Sequence, residues 1–386
     1  MFEQALGIFL LLAILSVLIV VHECGHFLVA RLFGFQTPVF GVGLPFGPYI
    51  SLGRKWNTEF RIYAFLLGGF VAIPELGDET NASNSSEAFG VELNPFKKFP
   101  IWQRALVAVA GVTFNAIFAY FLMVVMFFSV GRQVEQTYVS ALDPSNPIAK
   151  QAGVLAGDDI VALDKHPVTS THEVIAYLGN RKSTPVTLSL IRDGKPLDLV
   201  MTTSPKGKVG MVLGQKPAQY IKIDAGPVET LGLAGSELVD RTRLMVVGLA
   251  EMVQALTPDF GPAQPGAPPK PGFKNLHGVL AVVKIGAGMV QIDWRSMFMF
   301  TIMISMDLAI INLLPWPALD GGHLAFMLVE AIRGKPIEER AHGEMVKWGF
   351  LSLIALMVLV MVNDVSALMN GELDIKPEMK EKLKGR

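Results

Sequence analysis

The chain has 386 residues, of which 51% are hydrophobic and only 17% charged, and its formal charge is -1. Those values exclude a disordered or collagen-like chain and depart from an ordinary soluble enzyme, in which about a quarter of residues are charged. The 33 Lys and Arg are offset by 34 Asp and Glu without a basic block in the body of the chain, which argues against a nucleic-acid partner, and the single cysteine, Cys24, excludes a disulfide framework or a Cys-rich zinc module.

Taken in chain order, the apolar excess is concentrated. Ala5 to Val21 carries no charge and continues through His22-Glu23-Cys24-Gly25-His26 into a second apolar run ending at Phe33. The segment before it is acidic (Glu3) and no small-x-small site follows, so it reads as a retained span, not a signal peptide. Thr58 to Ile73 mixes β-formers with a Gly68-Gly69 break and predicts a membrane-associated β-hairpin. Ala105 to Val130 is uncharged and long enough for a second span. Val134 to Pro205 has the composition of a small α/β domain. Within it, a helix is expected over Thr171 to Asn180, and two alternating strands flank the turn Asp193-Gly194. Residues 226–256 predict an amphipathic helix, 257–272 a Pro/Gly-rich linker, and 279–290 an interfacial segment too short to span. Met297 to Leu319, with Asp307 and Asn312 inside it, and Trp348 to Val362 complete the spans. The expected fold is a polytopic α-helical membrane protein with about four transmembrane helices, the β-hairpin and an extracytoplasmic α/β domain. Its regions are 1–130, 131–210, 211–296 and 297–386.

Orientation follows from the short loops. Arg31, Arg54, Lys55, Arg61, Lys97, Lys98 and Arg104 lie between the first two spans, and Arg333, Lys335 and Arg340 between the last two. The positive-inside rule makes that side cytoplasmic and puts the middle segment and both termini outside. The C-terminal tail, with its own lysines, is a counter-signal.

His22-Glu23-x-x-His26 puts two imidazoles about 40° apart on one helical face, within reach of one Zn²⁺. Glu23 sits beside that face, where it can act as a base on water without ligating the metal. Cys24 falls on roughly the opposite face. The other reading, two histidines hydrogen-bonded inside a bundle, leaves three ionisable groups at a membrane helix end with no partner to offset their cost. A hydrolytic zinc site needs a third protein ligand. The candidate is Asp320, which ends an apolar run; Pro315 and Pro317 are expected to break the helix before it, and Gly321-Gly322 to let the backbone turn sharply. His323 is the competing ligand or an interfacial histidine supporting the site. Asp307 is read as a carboxyl facing the bundle or a partner of the site.

The first-span HExxH and Asn312-Leu-Leu-Pro315-Trp-Pro317-Ala-Leu-Asp320-Gly321 together resemble the site-2 protease family of intramembrane zinc metalloproteases. The closest likeness is to the bacterial branch with PDZ domains outside the membrane, the RseP-like proteases. The likeness covers essentially the whole chain. It implies one Zn²⁺ per chain held by His22, His26 and Asp320, Glu23 as catalytic base, and Asn312 in substrate handling. The stretch from Pro144 to Val168 resembles a bacterial PDZ signature, which implies a PDZ-like domain over 131–210 that filters substrates by size or takes peptide C-termini. The likeness also supports an edge-strand clamp, for which Gly68, Gly69 and Phe70 are the expected substrate-binding residues. The chain departs from the family at Gly111-Val112-Thr113-Phe114-Asn115, where many relatives have Pro after the Gly, and at His277-Gly278-Val279-Leu280. The implied activity is cleavage of single-span membrane proteins within the bilayer of a bacterial inner membrane. Such substrates include a pre-trimmed anti-sigma factor or a remnant signal peptide. A scaffold with a vestigial metal site would need ligands but no Glu23. A metal transporter would need polar residues in the second and fourth spans, which are almost entirely apolar.

Overall fold

The computed structural model describes residues 2–45, 47–66, 68–76, 99–134, 136–168, 171–216, 219–256, 278, 281–284, 286 and 293–370. The expected linker at 257–272 lies outside the described residues, as does most of the expected interfacial segment at 279–290. The chain divides into two compact units, Met1–Val125 with Leu231–Arg386, and Met126–Thr230.

In the first unit, α1 (Phe2–Phe33) and α2 (Ile101–Ser129) are predominantly apolar, with no polar stripe along their length, as suits helices solvated by lipid. Among the described residues, three helices are long and apolar enough to cross a membrane: Gly7–Phe33 within α1, Ile101–Ser129, and Arg340–Met369. The last belongs to α8 (Glu339–Met369), which is longer than the apolar core at Trp348 to Val362 foretells because charged residues extend it at its start. The expected third span is different. Its helix, α6 (Ser296–Asn312), stops at 17 residues, and the chain from Leu313 to Leu319 is irregular before α7 (Asp320–Arg333) begins. Pro315 and Pro317 supply no amide hydrogens there, so helical bonding cannot continue.

The stretch Thr58 to Ile73 is not a hairpin. Its strands, β3 (Thr58–Tyr63) and β4 (Gly69–Val71), are separated by β1 (Val39–Val42) in a four-stranded sheet of order β2-β3-β1-β4. β1 runs parallel to β3 and antiparallel to β4. The true hairpin joins β2 (Tyr49–Lys55) to β3 through Trp56 and Asn57, whose φ angles of 55° and 59° suit a tight two-residue turn.

The second unit is β-rich. β5 (Arg132–Val134) pairs with β12 (Gln219–Ile221). The main sheet has the order β10-β9-β7-β6-β11, with β8 (His166–Pro167) on β7. Its strands are β6 (Thr137–Leu142), β7 (Asp159–Leu163), β9 (Pro185–Arg192), β10 (Lys195–Thr202) and β11 (Met211–Gln215), so the sheet extends past residue 210. The expected hairpin is present, with Asp193 and Gly194 both at positive φ in its turn. α3 (Ile148–Gln151) and α4 (Thr171–Asn180) complete the unit. Val139, Ile160, Leu163, Val174, Leu188 and Leu190 are fully or almost fully buried in its core. The amphipathic helix forms as α5 (Pro227–Leu256).

One ion pair in this unit carries a pH signature. Asp158 is buried and accepts two bonds of 2.7 Å from Arg192, plus one of 2.8 Å from the Leu155 amide. The Arg192 guanidinium holds its carboxyl below the ordinary carboxylate range. A depressed carboxylate stabilises the fold above its unfolded value, near ~3.9. That contribution is lost as pH falls through the folded value. Asp158→Asn, which removes the charge paired with the partly exposed Arg192, is expected to cost about 1–2 kcal/mol at neutral pH. The cost should shrink below about pH 4. Hydrogen exchange of β7 and β9 amides in the full chain checks both.

Candidate metal centre

Two helices supply the three side chains of the centre. On α1, His22 and His26 stand one turn apart and are each 8% exposed. Asp320 opens α7, where the helix N-terminus favours a carboxylate. The Nε2 atoms of the two histidines are 3.2 Å apart. Asp320 Oδ2 lies 3.2 Å from His22 Nε2 and 3.4 Å from His26 Nε2. Ligands at ~2.0–2.1 Å from a tetrahedral zinc are about 3.3 Å from one another. The triangle therefore has the size of one face of a zinc tetrahedron. It is also the one group of three or more such side chains among the described residues that could hold a metal ion.

Chemistry agrees with size. His26 Nδ1 is 2.8 Å from the Val107 carbonyl, which can only accept, so that nitrogen carries the proton and Nε2 presents a lone pair. Asp320 Oδ2 is buried with no hydrogen-bond donor among the described residues. Lone pairs aimed at one point repel unless a cation lies between them, so the donor set fits Zn²⁺.

Glycines let the backbones close around the triangle. A Cβ on Gly111 of α2 would stand 2.3 Å from His26 Nε2, and one on Gly25 would stand 2.5 Å from the Ala110 carbonyl oxygen. Small residues here allow α2 to lie against the histidine face. Gly321 and Gly322 do not make the sharp turn expected of them, since neither has a positive φ. Their role is close approach. Cβ atoms there would fall 2.1–2.3 Å from the carbonyl oxygens of Leu313, Leu314 and Trp316, which fold back over the first turn of α7.

A cavity of about 240 Å³ opens beside the triangle, lined by Ile19, Glu23, Asn115, Leu308, Asn312 and Leu319 among others. Asn312, the last residue of α6, brings its amide nitrogen to 3.5 Å from His22 Nε2. Glu23 is half-buried, and the Val71 amide of β4 is in reach of its carboxylate. Gly69 lies against the same helix face, with Ile19 and Glu23 about 3 Å from where its Cβ would be. The ladder fixes which way β4 faces. Ala72 donates to the Val39 carbonyl and Gly43 to the Gly68 carbonyl. Alternation in an antiparallel pair then turns the amides and carbonyls of Gly69 and Val71 away from β1, toward the strand's open side.

Of the residues expected from sequence, His22, Glu23, His26, Asn312, Gly69 and Asp320 converge. Gly68 holds a φ of 135° that favours glycine and prepares the strand. Phe70 points its ring to the other face, over Gly41 and 5.8 Å from Tyr63, so its side chain is not brought to the centre. His323 is not part of the triangle; its ring faces His342 at 5.9 Å. Asp307 is exposed on α6 and has no ion pair or hydrogen bond among the described residues. Cys24 is a free thiol. Gly111 and Asn115 were visible in the sequence only as a departure from a motif.

A model of peptidase family M50 matches residues 10–356. The chain belongs to that family. Relatives named zinc metalloproteases include one from Nostoc sp. that is 33% identical over 369 residues, covering 92% of this chain and 95% of its own. Another, from Agrobacterium fabrum, is 30% identical over 375 residues, covering 92% and 94%. A chloroplastic protein of Arabidopsis thaliana named membrane metalloprotease ARASP is 29% identical over 371 residues, covering 92% of this chain and 78% of its own. The M50 protein described here is thus a membrane metalloprotease of the site-2 protease family, and its cofactor is Zn²⁺.

Proposed function

We propose that this M50 protease is an intramembrane endopeptidase that cleaves single-span transmembrane proteins, with His22, His26 and Asp320 holding zinc and Glu23 as the catalytic base. The observation that carries the reading is the triangle of converging acceptor atoms with Glu23 beside it in the cavity wall, next to Gly69 and the Val71 amide of β4.

Bound zinc supplies a Lewis acid that polarises a peptide carbonyl and acidifies water. The protein's own groups do the rest. Glu23 accepts the proton of the attacking water and passes it to the leaving nitrogen. A peptide bond inside a helix is shielded and its carbonyl is already hydrogen-bonded, so the substrate must unwind. The outward amide and carbonyl of Gly69 and the Val71 carbonyl offer an extended segment an added strand, and Gly69 keeps that approach free of a side chain. Asn312 can donate to the substrate main chain beside the metal ligands.

Four membrane crossings are the reading we favour, with α6 as the short one and the loop cations on the cytoplasmic side of a bacterial inner membrane. The β-rich unit is read as a PDZ-like domain outside the membrane that takes peptide C-termini or excludes untrimmed substrates. Its two helices and antiparallel sheet are consistent with that.

The test uses full-length protein and a model single-span substrate in liposomes. Cleavage should fall within the substrate's span. A Pro placed near the scissile bond lowers the cost of unwinding by up to ~3 kcal/mol, so it should raise the rate roughly tenfold or more. Cleavage confined to soluble polypeptides, or outside the span, would overturn the reading.

A further inference from the structure

An imidazole binds zinc through a nitrogen without a proton, so the other ring nitrogen of each ligand must keep its hydrogen and find an acceptor. For His26 that acceptor is the Val107 carbonyl. His22 has no such carbonyl among the described residues. Its Nδ1 faces the Asn115 side chain of α2, with the amide nitrogen at 3.3 Å.

Asn115 can meet the ring in two ways. If its amide nitrogen faces Nδ1, the amide donates and the ring proton moves to Nε2, pointing at Asp320 and His26. The Asn115 oxygen is then buried without a partner among the described residues. At 0% exposure, bulk solvent does not satisfy it. A half-turn of the amide exchanges its two ends, which differ little in shape. The oxygen then accepts Nδ1–H, and Nε2 is left with the lone pair that the triangle requires. The residue is well placed to act this way, because Ser305 of α6 donates to the Asn115 main-chain carbonyl at 2.9 Å and fixes the backbone.

We propose that Asn115 is the positioning residue of the centre: its side-chain oxygen accepts the Nδ1–H of His22 and so holds the Nε2 lone pair toward the metal position. The inference rests on His22 being a zinc ligand, as proposed above. Asn115 touches neither metal nor substrate in this role.

The test is zinc affinity of the full-length protein in detergent micelles, measured by chelator competition, for wild type, Asn115→Leu, Asn115→Asp and His22→Ala. Loss of such an outer partner weakens metal binding about 10–100-fold, and Asn115→Leu should do so. Asn115→Asp keeps an acceptor and removes the donor, so it should bind zinc at least as tightly as wild type. Wild-type affinity in Asn115→Leu overturns the proposal. So does an Asn115→Asp variant weakened tenfold or more, because that result means the amide donates. If Asn115→Leu does not fold, the comparison of Asn115→Asp with wild type decides by the same criterion. Weak zinc binding in His22→Ala beside unchanged binding in Asn115→Leu removes the role of Asn115 alone. Unchanged binding in His22→Ala removes the ligand assignment and this proposal with it.

Discussion

Glu23→Gln should retain about one zinc per chain and lose cleavage by roughly 10²–10⁴-fold, the range that general acid–base catalysis supplies. The geometry separates the two outcomes. The converging ligand atoms come from His22, His26 and Asp320, and Glu23 is not among them. Its carboxylate sits at the cavity wall, in reach of the Val71 amide. Gln is nearly the same size and still meets its neighbours, but cannot take a proton from water. Zinc content by atomic absorption and cleavage of a single-span substrate are read on the same preparation. Equal cleavage by both proteins would remove Glu23 from the mechanism. Loss of zinc together with cleavage would make it a ligand.

Asp320→Ala should have the largest effect on the metal itself. The carboxylate is the only anionic member of the triangle and closes two of its three edges, at 3.2 and 3.4 Å. Its removal leaves two neutral imidazoles, one ligand short of the three that a hydrolytic zinc site takes from the protein. Zinc affinity should fall by more than the roughly 100-fold attributed to outer partners. Asp320→Glu should recover little, because the extra methylene displaces the oxygen from a triangle whose edges already match tetrahedral zinc. His323→Ala should keep its zinc, since that ring faces His342 on α8. Metal content of the three variants, purified side by side, decides between Asp320 and His323.

The ligands were legible because their signals are local or isolated. His22 and His26 share a helical face by spacing alone, and Asp320 is conspicuous as a lone carboxylate ending an apolar run. Their meeting could not be computed from spacing, and in the sequence it rested on a family likeness. The sheet was half legible. Thr58 to Tyr63 reads as a strand, but β1 is only four residues long and inserts between β3 and β4 by a parallel pairing that leaves no mark in local sequence. The orientation of Phe70 follows from that register and was missed with it. Gly111 and Asn115 were hidden for another reason. In a mostly apolar helix, a glycine and an asparagine look like packing residues until the helix across from them is known to carry the metal ligands. The break after Asn312 was predictable from two prolines, whereas the work of Gly321 and Gly322 as contact points needed the fold.

X-ray absorption at the zinc edge of the unmodified, full-length protein tests the metal assignment most directly. The expected spectrum has two imidazole nitrogens and at least one oxygen at about 2.0–2.1 Å. Three imidazoles would bring in His323, and a sulfur at about 2.3 Å would bring in Cys24; either would contradict the triangle of His22, His26 and Asp320.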